Sequence, residues 1–316
     1  MNYIKKESNR PTEEWHELRR KGIGSSDAAV ILGLNPYKTP LELYLEKIGE
    51  KPAEQEETLK LKFGIEVEPL IARMFEEKTG LIVRNDFKMR LHPQYPFIFA
   101  NLDRTIVSHN DSGPGILEIK TASEAYQKTW EDEVPPNYYV QIQHQMAVTG
   151  YKYGYFAILF MGYTGIKDFM VIEVKRDDGF INDVLLPQLI DFWTNHVEKY
   201  NPPAPSNTDD LKILYPTTTK DKVVDAQDAV IEAINRLKEI KTQLEPLEEE
   251  KKKLEEQIKL AFLDAEVLTY NGEIVATYKQ TKDMLKFDQK KFEAENPELA
   301  QKYFTIIPGY RRLIIK

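Results

Sequence analysis

The chain of 316 residues contains no cysteine. That absence excludes a disulfide scaffold, zinc–thiolate sites, iron–sulfur clusters and a cysteine nucleophile together. It fits a reducing compartment, so a cytoplasmic protein is the expectation. Long apolar runs are also missing. Tyr155–Met161 is only strand length, against the roughly 20 residues of a spanning helix. No apolar segment follows Met1-Asn2-Tyr3-Ile4-Lys5-Lys6, so no signal peptide is expected. A basic excess is lacking too: 43 Lys and Arg face 51 Asp and Glu, a formal charge of −8. This argues against a passive nucleic-acid coat, which is normally basic. It does not exclude a metal-dependent nuclease, which gathers carboxylates in its site and needs only a local basic groove.

What is present, 41% hydrophobic and 30% charged residues, suffices for a core and a soluble surface. The length suits two domains, or one with an appendage. Arg10-Pro11-Thr12 opens a short helix to Lys21, and Gly22-Ile23-Gly24 breaks it. Ser25, Ser26 and Asp27 are all N-cap types for the helix that continues to Leu32. Thr39-Pro40-Leu41-Glu42 reads as N-cap, N1 proline and capping-box glutamate of a helix to Ile48. Thr58–Lys78 is a longer helix stopped by Gly80. Leu81–Arg90, Phe97–Ser108 and Gly115–Thr121 read as strands, with a turn over Asn110–Gly115. Helices over Ser123–Asp132 and Asn137–Thr149 follow, then a hairpin of Tyr153–Met161 and Phe169–Arg176. Asp178–Tyr200 is expected to be a helix kinked at Pro187.

Asn201-Pro202-Pro203-Ala204-Pro205 marks the domain boundary, giving a core over 1–205 and an appendage over 206–316. Apolar residues from Val230 to Ala261 recur every three or four positions amid Glu and Lys. They predict a long helical hairpin or coiled coil, interrupted near Pro246. A hairpin turn at Tyr270-Asn271-Gly272-Glu273, a helix over Asp288–Tyr303 and a final strand over Tyr310–Ile315 complete the reading. The fold class is α/β or α+β, with a helical and small β appendage.

The residues that carry chemistry are Asp103 and Glu118-Ile119-Lys120. On a strand Glu118 and Lys120 share a side while Ile119 points to the other. The apolar run Phe97–Ala100 delivers Asp103, and Ile116-Leu117 delivers Glu118. Two carboxylates and a backbone carbonyl make an all-oxygen site suited to Mg²⁺ or Mn²⁺. A lysine beside them can hold an attacking water and neutralise charge growing on a phosphate, the needs of metal-assisted phosphodiester hydrolysis. A second pair, Arg19 and Ser26, combines a guanidinium with a helix start, a phosphate-binding combination. Lys5, Lys6, Arg10, Arg20 and Lys21 make that end basic, and Arg20 competes with Arg19 for the role.

An Asp followed by Glu-x-Lys resembles the PD-(D/E)xK nuclease core. The wider pattern resembles the lambda-exonuclease branch, and most closely the YqaJ-like phage recombination nucleases. Trp15–Arg19 with Gly24–Asp27 is similar to that family's opening motif; Phe63–Glu68 with Ala72–Phe75 to its glycine–glutamate helix; Tyr138–Met146 to its glutamine helix. The resemblance spans roughly residues 10–200, about two thirds of the chain. It implies a restriction-endonuclease-like mixed sheet flanked by helices. It implies Asp103 and Glu118 as metal ligands with the Ile119 carbonyl, Glu68 approaching the metals, Lys120 as catalytic lysine, and Gln141 orienting that lysine or the water. Glu66 is the nearby rival of Glu68. His144 reads as a buried helix histidine rather than a ligand. Arg19 and Ser26 would anchor a DNA 5′-phosphate. Asn101-Leu102 stand where the superfamily's name leads one to expect proline.

The implied activity is a Mg²⁺-dependent 5′-to-3′ exonuclease on double-stranded DNA, with two ions and Mn²⁺ as substitute, leaving 3′ overhangs for annealing recombination. The implied setting is the cytoplasm of a bacterial cell or phage-infected host. Expected partners are duplex DNA ends, a single-strand annealing protein (RecT/Bet-like) and copies of the chain itself, with a ring trimer as the family form. Two alternatives stand: a structure-selective endonuclease of the same superfamily, and a non-catalytic DNA-end-binding scaffold.

Overall fold

The structure, a computed structural model, describes residues 3–5, 13–51, 58–107, 113–305 and 309–315. Lys6, Arg10-Pro11-Thr12 and turn residues 108–112 lie outside them. The chain divides into two compact units, Met1–Leu214 and Tyr215–Lys316.

In the first unit, β1 (Tyr3–Lys5) precedes four helices: α1 (Glu13–Arg20), α2 (Ser25–Ile31), α3 (Pro40–Ile48) and α4 (Leu59–Thr79). The break between α1 and α2 has a packing reason. Ile23 exchanges backbone hydrogen bonds with Phe97 and Phe99 at 2.7 and 2.9 Å. A Cβ on Gly22 would lie 2.3 Å from the Phe97 carbonyl oxygen, so only glycine fits. The N-cap of α2 is Gly24 and not a serine or Asp27: its N–H is taken by Asp27 Oδ2 at 3.0 Å, from inside the first turn. Thr39 and Glu42 form the reciprocal capping box of α3, and Gly49 and Gly80 close α3 and α4 in left-handed conformations.

The strands are shorter than their apolar runs. Leu81–Arg90 splits into β2 (Val83–Asn85) and β3 (Lys88–Leu91), which join different sheets. Between them Asp86, buried, accepts from Arg90 and from Thr105. Phe97–Ser108 splits into β4 (Phe99–Ala100) and β5 (Arg104–Ile106), so Asp103 leaves the strand just before β5. Next come β6 (Gly115–Ser123), α5 (Gln127–Asp132), α6 (Pro136–Thr149), β7 (Tyr153–Gly162) and β8 (Gly165–Lys175). The main sheet runs β2-β5-β6-β7-β8; β6 and β7 are parallel, joined through α5 and α6, and the other pairings are antiparallel. Apolar clusters cover both faces. α2, α3 and α6 pack on one with Ile116, Phe156 and Ile158, and α4 packs on the other with Leu117, Ala157 and Leu159.

The helical stretch after β8 widens into π turns at Ile181–Leu185 and Phe192–Val197. The first falls directly before Pro187, whose missing N–H a regular α ladder would register as a gap. The first unit continues nine residues past the proline break. Asp210, buried on the helix Thr208–Leu214, accepts from Thr39 Oγ1 at 2.7 Å and ties that helix to α3.

In the second unit the stretch read as a helical hairpin or coiled coil with a break near Pro246 is one helix, Asp228–Phe262, passing uninterrupted through Pro246. Val267–Tyr270 and Glu273–Thr277 form a hairpin over Asn271 and Gly272, both at positive φ. The helix expected over Asp288–Tyr303 breaks at Asn296-Pro297 into two short pieces. Residues 309–315 form no strand. No helix among the described residues is long and apolar enough to cross a membrane.

Candidate active site

Asp103 Oδ2 accepts the N–H of Ile119 at 2.8 Å, which pins the carboxylate to β6 between Glu118 and Lys120. Alternation along β6 sends Ile119 to the α4 side, while Glu118, its side chain 4% exposed, meets α6. A carboxyl group this deep needs hydrogen-bond partners. Lys120 Nζ donates to Oε1 at 2.7 Å, Gln141 Nε2 donates to the same oxygen, and Gln145 Nε2 donates to Oε2 at 2.6 Å. Gln141 and Gln145 lie one turn apart on α6 and so present one face. Gln141 therefore reaches Lys120 through the shared carboxylate oxygen.

Glu68 from α4 is paired with Arg104 at the start of β5, and Arg104 Nη1 also donates to the Asp103 carbonyl at 2.6 Å. Glu68, Asp103, Glu118, Ile119 and Lys120 line one cleft with Gly64 and Thr121. Glu66 is exposed and does not line it. Burial and then Glu118 push the Asp103 carboxyl up to about 8, against the pull of Lys120. Burial works against charge on Lys120 as well, but Glu118 and Asp103 outweigh it and raise its affinity for the proton. Its ammonium sits 5.2 Å from the Tyr138 ring centroid. The cleft thus gathers carboxyl groups beside a firmly protonated lysine. Among the described residues no three His, Asp or Glu side chains are gathered closely enough to hold a metal as they stand. Glu68 is drawn to Arg104, and both Glu118 oxygens are engaged.

Arg19 and Ser26 do meet: Arg19 Nη2 donates to Ser26 Oγ at 2.9 Å and to Asp27 Oδ1 at 3.1 Å. Asp27 Oδ2 also accepts from the buried Lys47 at 2.7 Å, and Lys47 donates to the Arg19 carbonyl at 2.8 Å. Despite burial, Lys47 and then Arg19 hold the Asp27 carboxyl well below the usual range. Ser26 and Arg20 are exposed, and Arg19 is a third exposed. Sequence reasoning missed Gln145, Arg104, Asp27 and Lys47 as supports. Gln145 was available from the four-residue spacing to Gln141, and Arg104 from a charge placed inside an apolar strand run.

His144 lies in the core, fully buried, and does not line the cleft. Burial pushes its pKa down to about 3. The unfolded chain therefore binds a proton between about pH 3 and 6.5 that the folded chain refuses, so stability is complete above pH 6.5 and falls as pH drops through this window. At about 1.4 kcal/mol per unit, His144 costs about 2 kcal/mol by pH 5. Urea unfolding should show that slope in the wild type and a flatter one in His144→Gln. A residue of slope from His92, which burial and then Arg176 also hold low, should remain.

Strands, helices and cleft define a class: the fold is that of the alkaline exonucleases. The crystal structure of the alkaline exonuclease LHK-Exo from Laribacter hongkongensis superposes with a TM-score of 0.50 at 22% identity, covering 60% of this chain and 94% of that one. Residues 14–152 match the family described as the YqaJ-like viral recombinase domain. The protein YqaJ of Bacillus subtilis (strain 168) is 38% identical over 306 residues, 95% of this chain and 92% of its own length. The chain belongs to the YqaJ-like viral recombinase family.

Proposed function

We propose that the chain is a metal-dependent exonuclease that degrades one strand of duplex DNA from a 5′-phosphorylated end. The observation that carries the reading is the pairing of half-buried Asp103 with buried Glu118 beside Lys120 at the rim of a cleft. Family membership and the alkaline exonuclease fold support a nuclease role in recombination. The donor set fits Mg²⁺ or Mn²⁺: hard oxygens alone, with desolvation and then repulsion from Glu118 favouring the protonated Asp103 until a cation relieves both. Asp103, Glu118 and the Ile119 carbonyl would hold the ions, with Glu68 released from Arg104 to join them. When bound, such ions polarise the scissile phosphate and offset the charge that develops on it.

The chain's own groups do the rest. Lys120 stays protonated and donates to phosphate or water oxygen. Gln141 and Gln145 fix Glu118 so that its oxygens cannot swing away, an orienting task that outer partners of ligands perform. Arg19 and Ser26 read the terminal phosphate, and Asp27 with Lys47 holds the Arg19 side chain in place.

The test is incubation of end-labelled linear and closed circular duplex with Mg²⁺. Mononucleotide release from linear DNA alone supports the exonuclease; nicking of circles favours an endonuclease; no cleavage with either ion overturns both. Polarity has its own test. Losing one charge-assisted contact costs about 1.5–3 kcal/mol. Arg19→Ala should therefore slow 5′-phosphorylated ends roughly ten- to a hundredfold and 5′-hydroxyl ends little, so that the two rates converge. Comparing the ends within one variant, at one ionic strength, removes any shared stability loss. An unchanged preference would place the anchor elsewhere, and loss of preference in Arg20→Ala would name the other arginine.

A further inference from the structure

Arg104 opens β5 with its side chain only 8% exposed. Alternation puts it on the same face as Ile106, and the register sets it opposite Leu117 on β6. Ile106 and Leu117 belong to the apolar cluster under α4. A guanidinium there cannot shed its proton and is costly unless paired. Its Nη1 is paired twice, with Glu68 of α4 and with the Asp103 carbonyl at 2.6 Å. Both partners belong to the cleft. On the other flank Lys120 holds Glu118 at 2.7 Å. The carboxyl groups of Glu68, Asp103 and Glu118 thus face two cations of the chain itself. Among the described residues no three carboxyl or imidazole groups converge closely enough for a metal.

We propose that Arg104 is a positioning residue that stands in for a cation at Glu68, so that its guanidinium and a divalent ion compete for one carboxylate. The inference rests on the metal-dependent reading of the cleft. Two observations favour it over a brace that serves the fold alone. The first is place. A buried ion pair adds little net stability over well-packed apolar side chains of similar volume. This pair lies beside apolar neighbours that could supply such packing, yet both of its contacts end on residues that line the cleft.

The second is the unequal freedom of the two partners. Glu68 is 20% exposed and borders the cleft, so rotation about its own side-chain bonds can carry the carboxylate toward an ion while α4 stays in place. Arg104 is the more buried of the two. Once Glu68 has left, the guanidinium keeps the Asp103 carbonyl, so the exchange does not strand its charge. Asp103, Glu118 and the Ile119 carbonyl can meet a cation without disturbing Arg104. Glu68 joins them only when the ion outweighs the guanidinium. Arg104 therefore lowers the affinity of the cleft for divalent ions and sets the concentration at which its last carboxylate is recruited.

The experiment is Mn²⁺ binding to the full chain without DNA, read by calorimetry and from the paramagnetic resonance signal of the free ion. Arg104→Gln removes the charge and leaves an amide that can donate to the Asp103 carbonyl. It should bind Mn²⁺ at least about tenfold more tightly than the wild type, the scale of one charge-assisted contact. Arg104→Lys keeps the charge and should bind like the wild type. Glu68→Gln should weaken binding by a similar factor, because it removes a donor and leaves Arg104 unopposed. Opposite signs from the two ends are what a brace would not produce, since cutting a brace at either end loosens the site and weakens binding. Glu68 is partly exposed, so its variant still decides the matter should Arg104→Gln fail to fold. Equal or weaker binding by folded Arg104→Gln, tighter binding by Arg104→Lys, or unchanged binding by Glu68→Gln would overturn this inference and leave the metal-dependent reading standing. Mn²⁺ bound by no form of the chain would overturn both.

Discussion

Asp103→Asn and Glu118→Gln are each expected to lower cleavage of linear duplex at least about a thousandfold, the upper range for loss of one pre-organised electrostatic contact. Duplex binding should persist, because neither change adds negative charge that would repel phosphate. The substitutions keep shape. In Asp103→Asn the side-chain amide oxygen can still accept the Ile119 N–H that now goes to Asp103. What changes is the ability to compensate a cation, so Mg²⁺ should raise the melting temperature of the wild type and leave that of either variant unmoved. Single-turnover cleavage, filter binding and thermal melts with and without Mg²⁺ measure the three quantities. Near-normal turnover in either variant would remove that residue from the site.

The second large effect is on stability. Asp27→Ala should cost about 3–5 kcal/mol, the penalty for leaving a buried charge without its partner. The stranded charge is Lys47, whose side chain is 4% exposed and whose contacts are Asp27 and the Arg19 carbonyl. The same change frees the Gly24 N–H at the start of α2. Asp27→Leu combined with Lys47→Met should be far milder, since it removes both charges and refills the volume. Urea midpoints for wild type, single and double variants decide it. A loss under about 1 kcal/mol for Asp27→Ala would mean that Lys47 finds water or another acceptor.

Much of this was written in local sequence. Thr39-Pro40-Leu41-Glu42 specified the start of α3, because a capping box and an N1 proline are satisfied within four residues. Two-residue alternation placed Glu118 and Lys120 together. The geometry that makes Glu118 tenable was less legible, because Gln145 meets it across 27 residues and only the β6–α6–β7 crossover brings them together. Reading Ser25, Ser26 or Asp27 as the cap of α2 went astray because the pairing of Ile23 with Phe97 and Phe99 fixes where that helix can begin. Pro246 did not break its helix: exposed, it gives up one backbone bond where water can replace it. The strand read at Tyr310–Ile315 rested on apolar content alone, which cannot supply a neighbouring strand.

The crossover also sets a timetable. Glu118 leaves the ribosome 23 residues ahead of Gln141 and 27 ahead of Gln145. At about 5–20 residues per second, that interval is roughly 1–5 s. In it β6 can pair only with β5, through Arg104–Ile106 and Gly115–Leu117. The other half of β6, from Glu118 onward, waits for β7. A nascent chain paused before α6 would present an open strand edge beside a carboxylate with its amide donors not yet made. Codon choice across 120–150 therefore bears on the yield of native protein more than the same choice elsewhere in the core.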